Sequence, residues 1–385
     1  MMQRTDEHKA IFDTTRQFVE QQINPFTAEW ERAGIWPAHA ILRKLGALGL
    51  LGINKPPAFG GQGLDYSYHL EFARALGHCN VGAIPMAIGV QTDMATPALA
   101  RFGSDELRRQ FLAPAIAGEM VACIAVSEAS AGSDVAGIKT TARKVGADYV
   151  INGSKMWITN GTQADFACLL CNTEGLEGPH KNKSLIIVPL DAKGVDRSQK
   201  LDKLGLHASD TALIFLDEVK VPRTYLIGEE GKGFTYQMQQ FQEERLCVVA
   251  FGLAALDRVI ADTVKYTRER KIFGGSVADK QYVYFRLAEL ATEIEALKVM
   301  VDRAAEQLVS GVDATLLVSM AKLKYGRLAR EVPDACLQFW GGQGFMRESS
   351  VAQFYRDLRA GSIGGGADEV MLEIIAKRLG FRDRP

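Results

Sequence analysis

Apolar positions in this chain recur with two different periods, and the change of period divides it. Near the N-terminus Phe12, Thr15, Phe18, Val19 and Ile23 share one face at helical spacing. Leu42, Leu45 and Leu48–Leu51 predict a second buried helix, and Ser104 before DELRRQFL reads as an N-cap. The stretch NKPPAFGGQGLD between them is a turn-rich connection. Residues 1–120 are therefore expected to be helical. From Val121 the pattern shortens. VACIAV, IKTTARK, DYVING, FACLLC, SLIIVPL and TALIFLDEVKV are short runs rich in β-branched residues, punctuated by Gly146, Asn152-Gly153 and Gly194. They predict an antiparallel β-domain over residues 121–230. Helical spacing then returns for 231–385. Phe241, Val248, Val249, Leu253, Leu256, Ile260 and Val264 predict one helix of about 38 residues, a length usual in bundles or oligomer interfaces. Further helices are expected over about 279–310, about 313–341 and from about 367 onward.

Composition narrows the class without naming a function. The chain has 385 residues, enough for two or three domains, with 47% hydrophobic and 24% charged residues. A formal net charge of −1 gives no electrostatic reason to expect nucleic acid or an anionic membrane surface as partner. No apolar run reaches the roughly 20 residues of a membrane span, and the N-terminus has no signal-peptide stretch. The six cysteines (79, 123, 168, 171, 247 and 336) sit in apolar surroundings and are expected to be buried and unpaired, which suits a cytoplasmic protein.

Several chemistries are missing from the sequence. No G-x-G-x-x-G joins a strand to a helix, which argues against a Rossmann dinucleotide site. There is no His-carboxylate pattern with metal-ligand spacing, so no metal is expected, and no G-x-S-x-G. What remains is a set of short motifs. SEASAGSD (127–134) follows an apolar strand, and its small residues let backbone amides approach a flat or anionic ligand. KMWITNG (155–161) puts Trp157 and Thr159 on the same side of a strand. FQEERL (241–246), ERKIFG (269–274), QFWGGQGF (338–345) and GSIGGGADEV (361–370) complete the set. A loop, a core tryptophan, solvated helix charges or a helix cap would each explain one motif by itself.

Together, and in this order, they resemble the acyl-CoA dehydrogenase family over nearly the whole chain, most closely its long-chain and branched-chain (citronellyl-type) members. The fold that resemblance implies is mostly α with a central β-domain: an N-terminal helical domain, a middle β-barrel and a C-terminal four-helix bundle. The implied activity is FAD-dependent α,β-dehydrogenation of an acyl-CoA thioester to the trans-2-enoyl-CoA, a step of fatty acid β-oxidation. Electrons would pass to an electron-transfer flavoprotein, and the assembly would be a homotetramer. The same match gives residues their roles. Ile124, Val126, Ser127, Ser133, Trp157, Ile158 and Thr159 would hold the flavin, with Trp157 covering one ring face and Thr159 donating to N5. Arg270, Phe273 and Gln281 would contact FAD, Arg270 at the pyrophosphate. Gln338, Gly341 and Gly342 would hold the adenine end and pyrophosphate of a partner subunit's FAD, with Ala367 and Glu369 near the cofactor. Ser133, Gln242, Arg245 and Gly364 would contact the substrate.

Three departures from the family pattern matter. Ala129 stands where proline is usual and Ala367 where threonine is usual. Gly365 stands where many members carry the catalytic glutamate. Other members carry it directly before the arginine of the FQEERL segment, which here is Glu244. The expectation is that Glu244 is the base, that Gly365 keeps only its backbone N–H toward the thioester oxygen, and that Glu243, about 100° round the helix, faces elsewhere. The glycine run would leave room for a long or methyl-branched acyl chain. An acyl-CoA oxidase or flavin monooxygenase on the same fold, and a non-catalytic flavoprotein scaffold, are the competing readings.

Overall fold

The computed structural model describes residues 4–382. Eight helices precede the sheet: α1 (Asp6–Phe18), α2 (Thr27–Ala33), α3 (Ala38–Ala47), α4 (Tyr66–Leu76), α5 (Ala83–Gly89), α6 (Pro97–Phe102), α7 (Asp105–Leu107) and α8 (Ala113–Ala117). The expected stripe on α1 is present: Thr15 and Phe18 are buried on it, and Val19 and Ile23 continue it through one π-helical turn. The second helix is shorter than expected. α3 ends at Ala47, so Leu48–Leu51 form the turns after it, with Leu50 and Leu51 packed into the core. Ser104 caps as expected, its side chain accepting from the Leu107 N–H. A second π-helical segment, Val90–Ala95, follows α5, a local widening that patterns of three and four do not reveal.

The strands are β1 (Ala122–Ala125), β2 (Thr141–Val145), β3 (Asp148–Thr159), β4 (Phe166–Thr173), β5 (Lys183–Pro189), β6 (Val195–Lys200), β7 (Thr211–Pro222) and β8 (Leu226–Ile227). They form one sheet in the order β6-β7-β3-β2-β4-β5-β8, with β1 beside β4. The expectation of an antiparallel sheet needs correction: β1 and β2 both pair with β4 in parallel. Parallel neighbours need a long crossover, and here it is supplied by residues 126–165, which contain the site loop and the β2-β3 hairpin. β6 (VDRSQK) escaped prediction because it lacks a β-branched alternation; pairing with β7 holds it extended.

Beyond the sheet, α9 runs from Gly233 to Glu269, 37 residues or roughly 56 Å at 1.5 Å per residue. It packs against α4, α10 (Gln281–Val309) and α11 (Thr315–Trp340), while α12 (Ser350–Leu358) and α13 (Asp368–Arg378) cover α11. α12 was not anticipated. All six cysteines are free and buried. Among the described residues no helix is long and apolar enough to cross a membrane.

Candidate active site

The loop after β1 is held by a buried acid. The Glu128 carboxylate accepts from Lys139 N (2.6 Å), Thr140 N (2.9 Å), Thr140 Oγ1 (2.6 Å) and Lys155 Nζ (2.9 Å). Lys155, wholly buried in β3, also donates to the Val126 carbonyl at 2.9 Å. Burial pushes the Lys155 ammonium down and works against the Glu128 carboxylate. The Thr140 hydroxyl and Lys155 outweigh that and keep Glu128 below its ordinary value. Such a satisfied pair fixes the loop geometry, since breaking it would strand a buried charge. Glu128 and Lys155 lie inside the SEASAGSD and KMWITNG motifs but were given no role there. Their signal was an acid in a loop of small residues and a lysine two positions before Trp157.

Met156 N donates to the Ser127 carbonyl at 3.0 Å, tying loop to strand. Immediately after, β3 and β7 slip register between Lys155 and Ile158, and Trp157 takes φ 63°. Simple alternation therefore does not aim Trp157 and Thr159. A β-bulge does, turning the indole out until it is 51% exposed while Ile158 beside it stays buried. Trp157, Ile158 and Thr159 line a cavity of about 470 Å³ together with Ile124, Val126, Ser127 and Ser133.

The opposite wall comes from α9 and the glycine run. Glu244, Arg245, Gly364, Gly365 and Ala367 all line the same cavity, and Met86, Val90, Met94 and Val248 make part of it apolar. Gly365 has φ +66°. A Cβ there would lie 3.5 Å from Glu244 Oε1, so the position on the loop and the carboxylate from α9 converge on one point. Arg245 Nε donates to the Gly365 carbonyl at 3.2 Å, and its guanidinium lies 5.4 Å from the Phe241 ring centroid. The Gly365 N–H carries no hydrogen bond among the described residues. Burial raises the Glu244 carboxyl to about 7; the nearby cations Arg245 and Lys322 pull it down and Asp93 pushes it up.

The neighbouring acid has another fate. Glu243 is also buried, but Oε1 pairs with Arg101 and its main-chain carbonyl accepts from the Tyr66 hydroxyl at 2.8 Å. Neither acid is a solvated helix charge, and of the two only Glu244 borders the cavity. Gln242 is not brought to the cavity: its amide donates to Thr315 Oγ1 at 3.0 Å on a different face.

The remaining motif residues lie outside the cavity. Arg270 Nη1 donates to the Trp340 carbonyl at 2.9 Å, and Trp340 stacks on Tyr266 with centroids 4.2 Å apart. Gly341 (φ +58°) lies against Arg270; a Cβ there would approach Nη1 to 2.6 Å. Phe273 is 95% exposed, with the Lys280 ammonium 5.8 Å from its ring. Gln281, Gln338, Gly342 and Glu369 are exposed as well, and none of these residues lines the cavity. Spacing gave no metal pattern, yet folding brings His69, Asp93 and Cys247 within 4.8 Å of one another. His69 Nε2 and Asp93 Oδ2 are there hydrogen-bonded to each other at 2.9 Å.

Family models match along the chain: acyl-CoA dehydrogenase N-terminal domain over residues 5–119, middle domain over 123–219 and C-terminal domain over 231–380. The mitochondrial long-chain specific acyl-CoA dehydrogenase of Sus scrofa is 35% identical over 378 residues, 97% of this chain and 87% of that protein. The chain belongs to the acyl-CoA dehydrogenase family. The mitochondrial short-chain specific acyl-CoA dehydrogenase of Mus musculus is 31% identical over 97% of this chain and 90% of its own length. The crystal structure of an acyl-CoA dehydrogenase from Geobacillus kaustophilus superposes with a TM-score of 0.94 at 38% identity, covering 98% of both chains.

The protein is thus a flavin-dependent oxidoreductase of acyl-CoA thioesters with the three-domain fold of its family, and its cofactor is FAD. The cavity suits that group. Trp157 and Thr159 line it together, and the loop is bare of side chain at Gly132, where a Cβ would only just reach the Trp157 ring at 4.0 Å, which leaves room for a ring against the indole.

Proposed function

We propose that Glu244 is the base of an α,β-dehydrogenation acting on long-chain or methyl-branched acyl-CoA, with electrons leaving to an electron-transfer flavoprotein. The observation that carries this reading is the convergence of Glu244 and Gly365 on one wall of the cavity. Glu244 takes the proton from the α-carbon, and its raised pKa brings it close to the strength a general base needs near neutral pH. The Gly365 N–H donates to the thioester oxygen, where negative charge gathers as that proton leaves. Arg245 holds the Gly365 carbonyl, on the peptide plane that follows this N–H. FAD, when bound, accepts the hydride from the β-carbon. Ser127, Trp157 and Thr159 would hold its ring, Ser133 the pantetheine arm, and Arg270, Gln281, Gln338, Gly341 and Gly342 the rest of the dinucleotide.

The acyl preference rests on the bare wall at Gly364–Gly366 and the apolar end at Met86, Val90 and Val248. We further read the chain as a cytoplasmic homotetramer serving fatty acid β-oxidation, with domain limits near 120/121 and 230/231. Assembly is supported by large aromatic side chains left in solvent, Phe273, Tyr282 (72% exposed) and Phe345 (81%). The test is an anaerobic titration of the yellow protein with acyl-CoAs of graded length and branching. Bleaching by C8–C16 or branched thioesters, transferred onward to electron-transfer flavoprotein without peroxide, is expected. Much faster reaction with butyryl-CoA would overturn the chain-length reading, and stoichiometric peroxide would favour an oxidase.

A further inference from the structure

Lys322 has no part in the motifs above, yet it lies beneath the glycine run. It sits on α11 with 0% exposure. Its Nζ donates to the Gly361 carbonyl at 2.7 Å and to the Gly366 carbonyl at 3.1 Å. Its Cε is 3.6 Å from where a Cβ at Gly365 would be, the same point that lies 3.5 Å from Glu244 Oε1. One ammonium therefore grips the loop on both sides of Gly365, and its stem reaches the same point as the base.

The loop needs such a grip. Gly364, Gly365 and Gly366 have no side chains to pack, Gly365 and Gly366 both have positive φ, and glycine loses more conformational freedom on ordering than any other residue. A neutral residue could fill the space under the loop. A buried cation is costly unless hydrogen-bonded, so its presence at the one place shared by loop and carboxylate calls for an explanation beyond packing.

We infer that Lys322 is a positioning residue that fixes the Gly365 N–H through two loop carbonyls and whose charge, set against the same point as the Glu244 carboxylate, favours the carboxylate over the neutral acid. The inference rests on Glu244 being the base. The charged groups around the pair come from several elements, and Asp368 among them is itself paired with Arg330 at 2.8 Å. Arg245 on α9 and Lys322 on α11 favour the ionised carboxylate, and Asp93 in the π-helical segment opposes it. Lys322 itself is pushed down to about 8 by burial, against the support of Asp368 at the start of α13 and of Glu244, with Arg245 adding to the fall. Lys322 is therefore mostly charged at pH 7.

The test is the pH profile of flavin reduction by a saturating acyl-CoA in Lys322→Gln and Lys322→Met holoenzymes. Both variants remove the charge, and the acid limb set by Glu244 is expected to move up by about one pH unit. Lys322→Gln keeps an amide donor for one carbonyl, so its plateau rate at high pH should fall less than that of Lys322→Met. A limb at the wild-type position in a variant that retains FAD overturns the inference. If both variants lose flavin, Lys322→Arg decides. It keeps charge and donors, so bound FAD with an unmoved limb supports the assignment, and flavin loss there too reduces Lys322 to packing and overturns it. Failure of the underlying reading looks different: no acyl-CoA would bleach the wild-type protein, or Glu244→Gln would bleach normally.

Discussion

The inner cavity and the outer Arg270–Gly341 surface carry motifs of similar strength in the sequence, yet they are built on opposite terms. The cavity is held by contacts within one chain. Its acid is buried, its loop is gripped by Arg245 and Lys322, and its second loop is pinned by Glu128 and Lys155. The outer surface has its arginine set by one carbonyl, beside a phenylalanine left 95% in solvent. A site whose groups are already paired stores its geometry in the fold. A site with bare aromatics obtains part of its geometry from whatever covers it.

The largest effect separating the two regions is expected from Glu244→Gln. It should leave FAD bound but slow flavin reduction by acyl-CoA about a thousandfold or more, read by anaerobic stopped flow. Normal bleaching would remove Glu244 from the chemistry. The same substitution has a stability signature. The folded pKa of Glu244 is raised from 4.5 to about 7, so its ionised form costs stability progressively as pH rises through that window, and the cost is constant above it. Apo Glu244→Gln should therefore melt higher than apo wild type at pH 8, by up to about 3 kcal/mol, and the gap should close toward pH 4. A gap independent of pH would contradict the burial argument.

Next comes Arg270→Ala, which should weaken FAD retention at least about tenfold by gel filtration while leaving the pH dependence of reduction in the reloaded enzyme unchanged. A shifted limb would join the two regions that the structure separates. Gly365→Ala should be milder. Alanine at φ +66° costs roughly 1–2 kcal/mol, while the methyl would meet Glu244 Oε1 at an ordinary contact distance of 3.5 Å, so backbone strain alone sets the effect and a fall in kcat of about tenfold is expected with FAD content intact. The smallest effect is expected from Phe273→Ser. A side chain so exposed supports little within one chain, and its loss should change monomer unfolding by less than about 0.5 kcal/mol while shifting assembly state in analytical ultracentrifugation.

Local pattern carried much of this architecture. The period change near Val121, the long α9 and the Ser104 cap were legible because each depends on neighbours in sequence. β6 and the parallel β1-β4 pair were not: VDRSQK carries no β-branched alternation, and Ala122 and its partner Phe166 lie 44 positions apart. At the site, the residue types of FQEERL and the glycine run pointed to a base at position 244 and a bare backbone at 365. The pattern could also predict that two adjacent helical acids face different ways. Which way each faces required α9 to be packed: Glu243 toward Arg101, Glu244 toward the cavity. The bulge that turns Trp157 outward is a register slip between two strands, and the Lys322 grip joins residues 39 and 44 positions apart. Chemistry-bearing residue types and their local spacing are written along the chain. Burial, the shifted ionisation of Glu244 and the anchoring of the glycine loop arise only when distant segments exclude water from the same small volume.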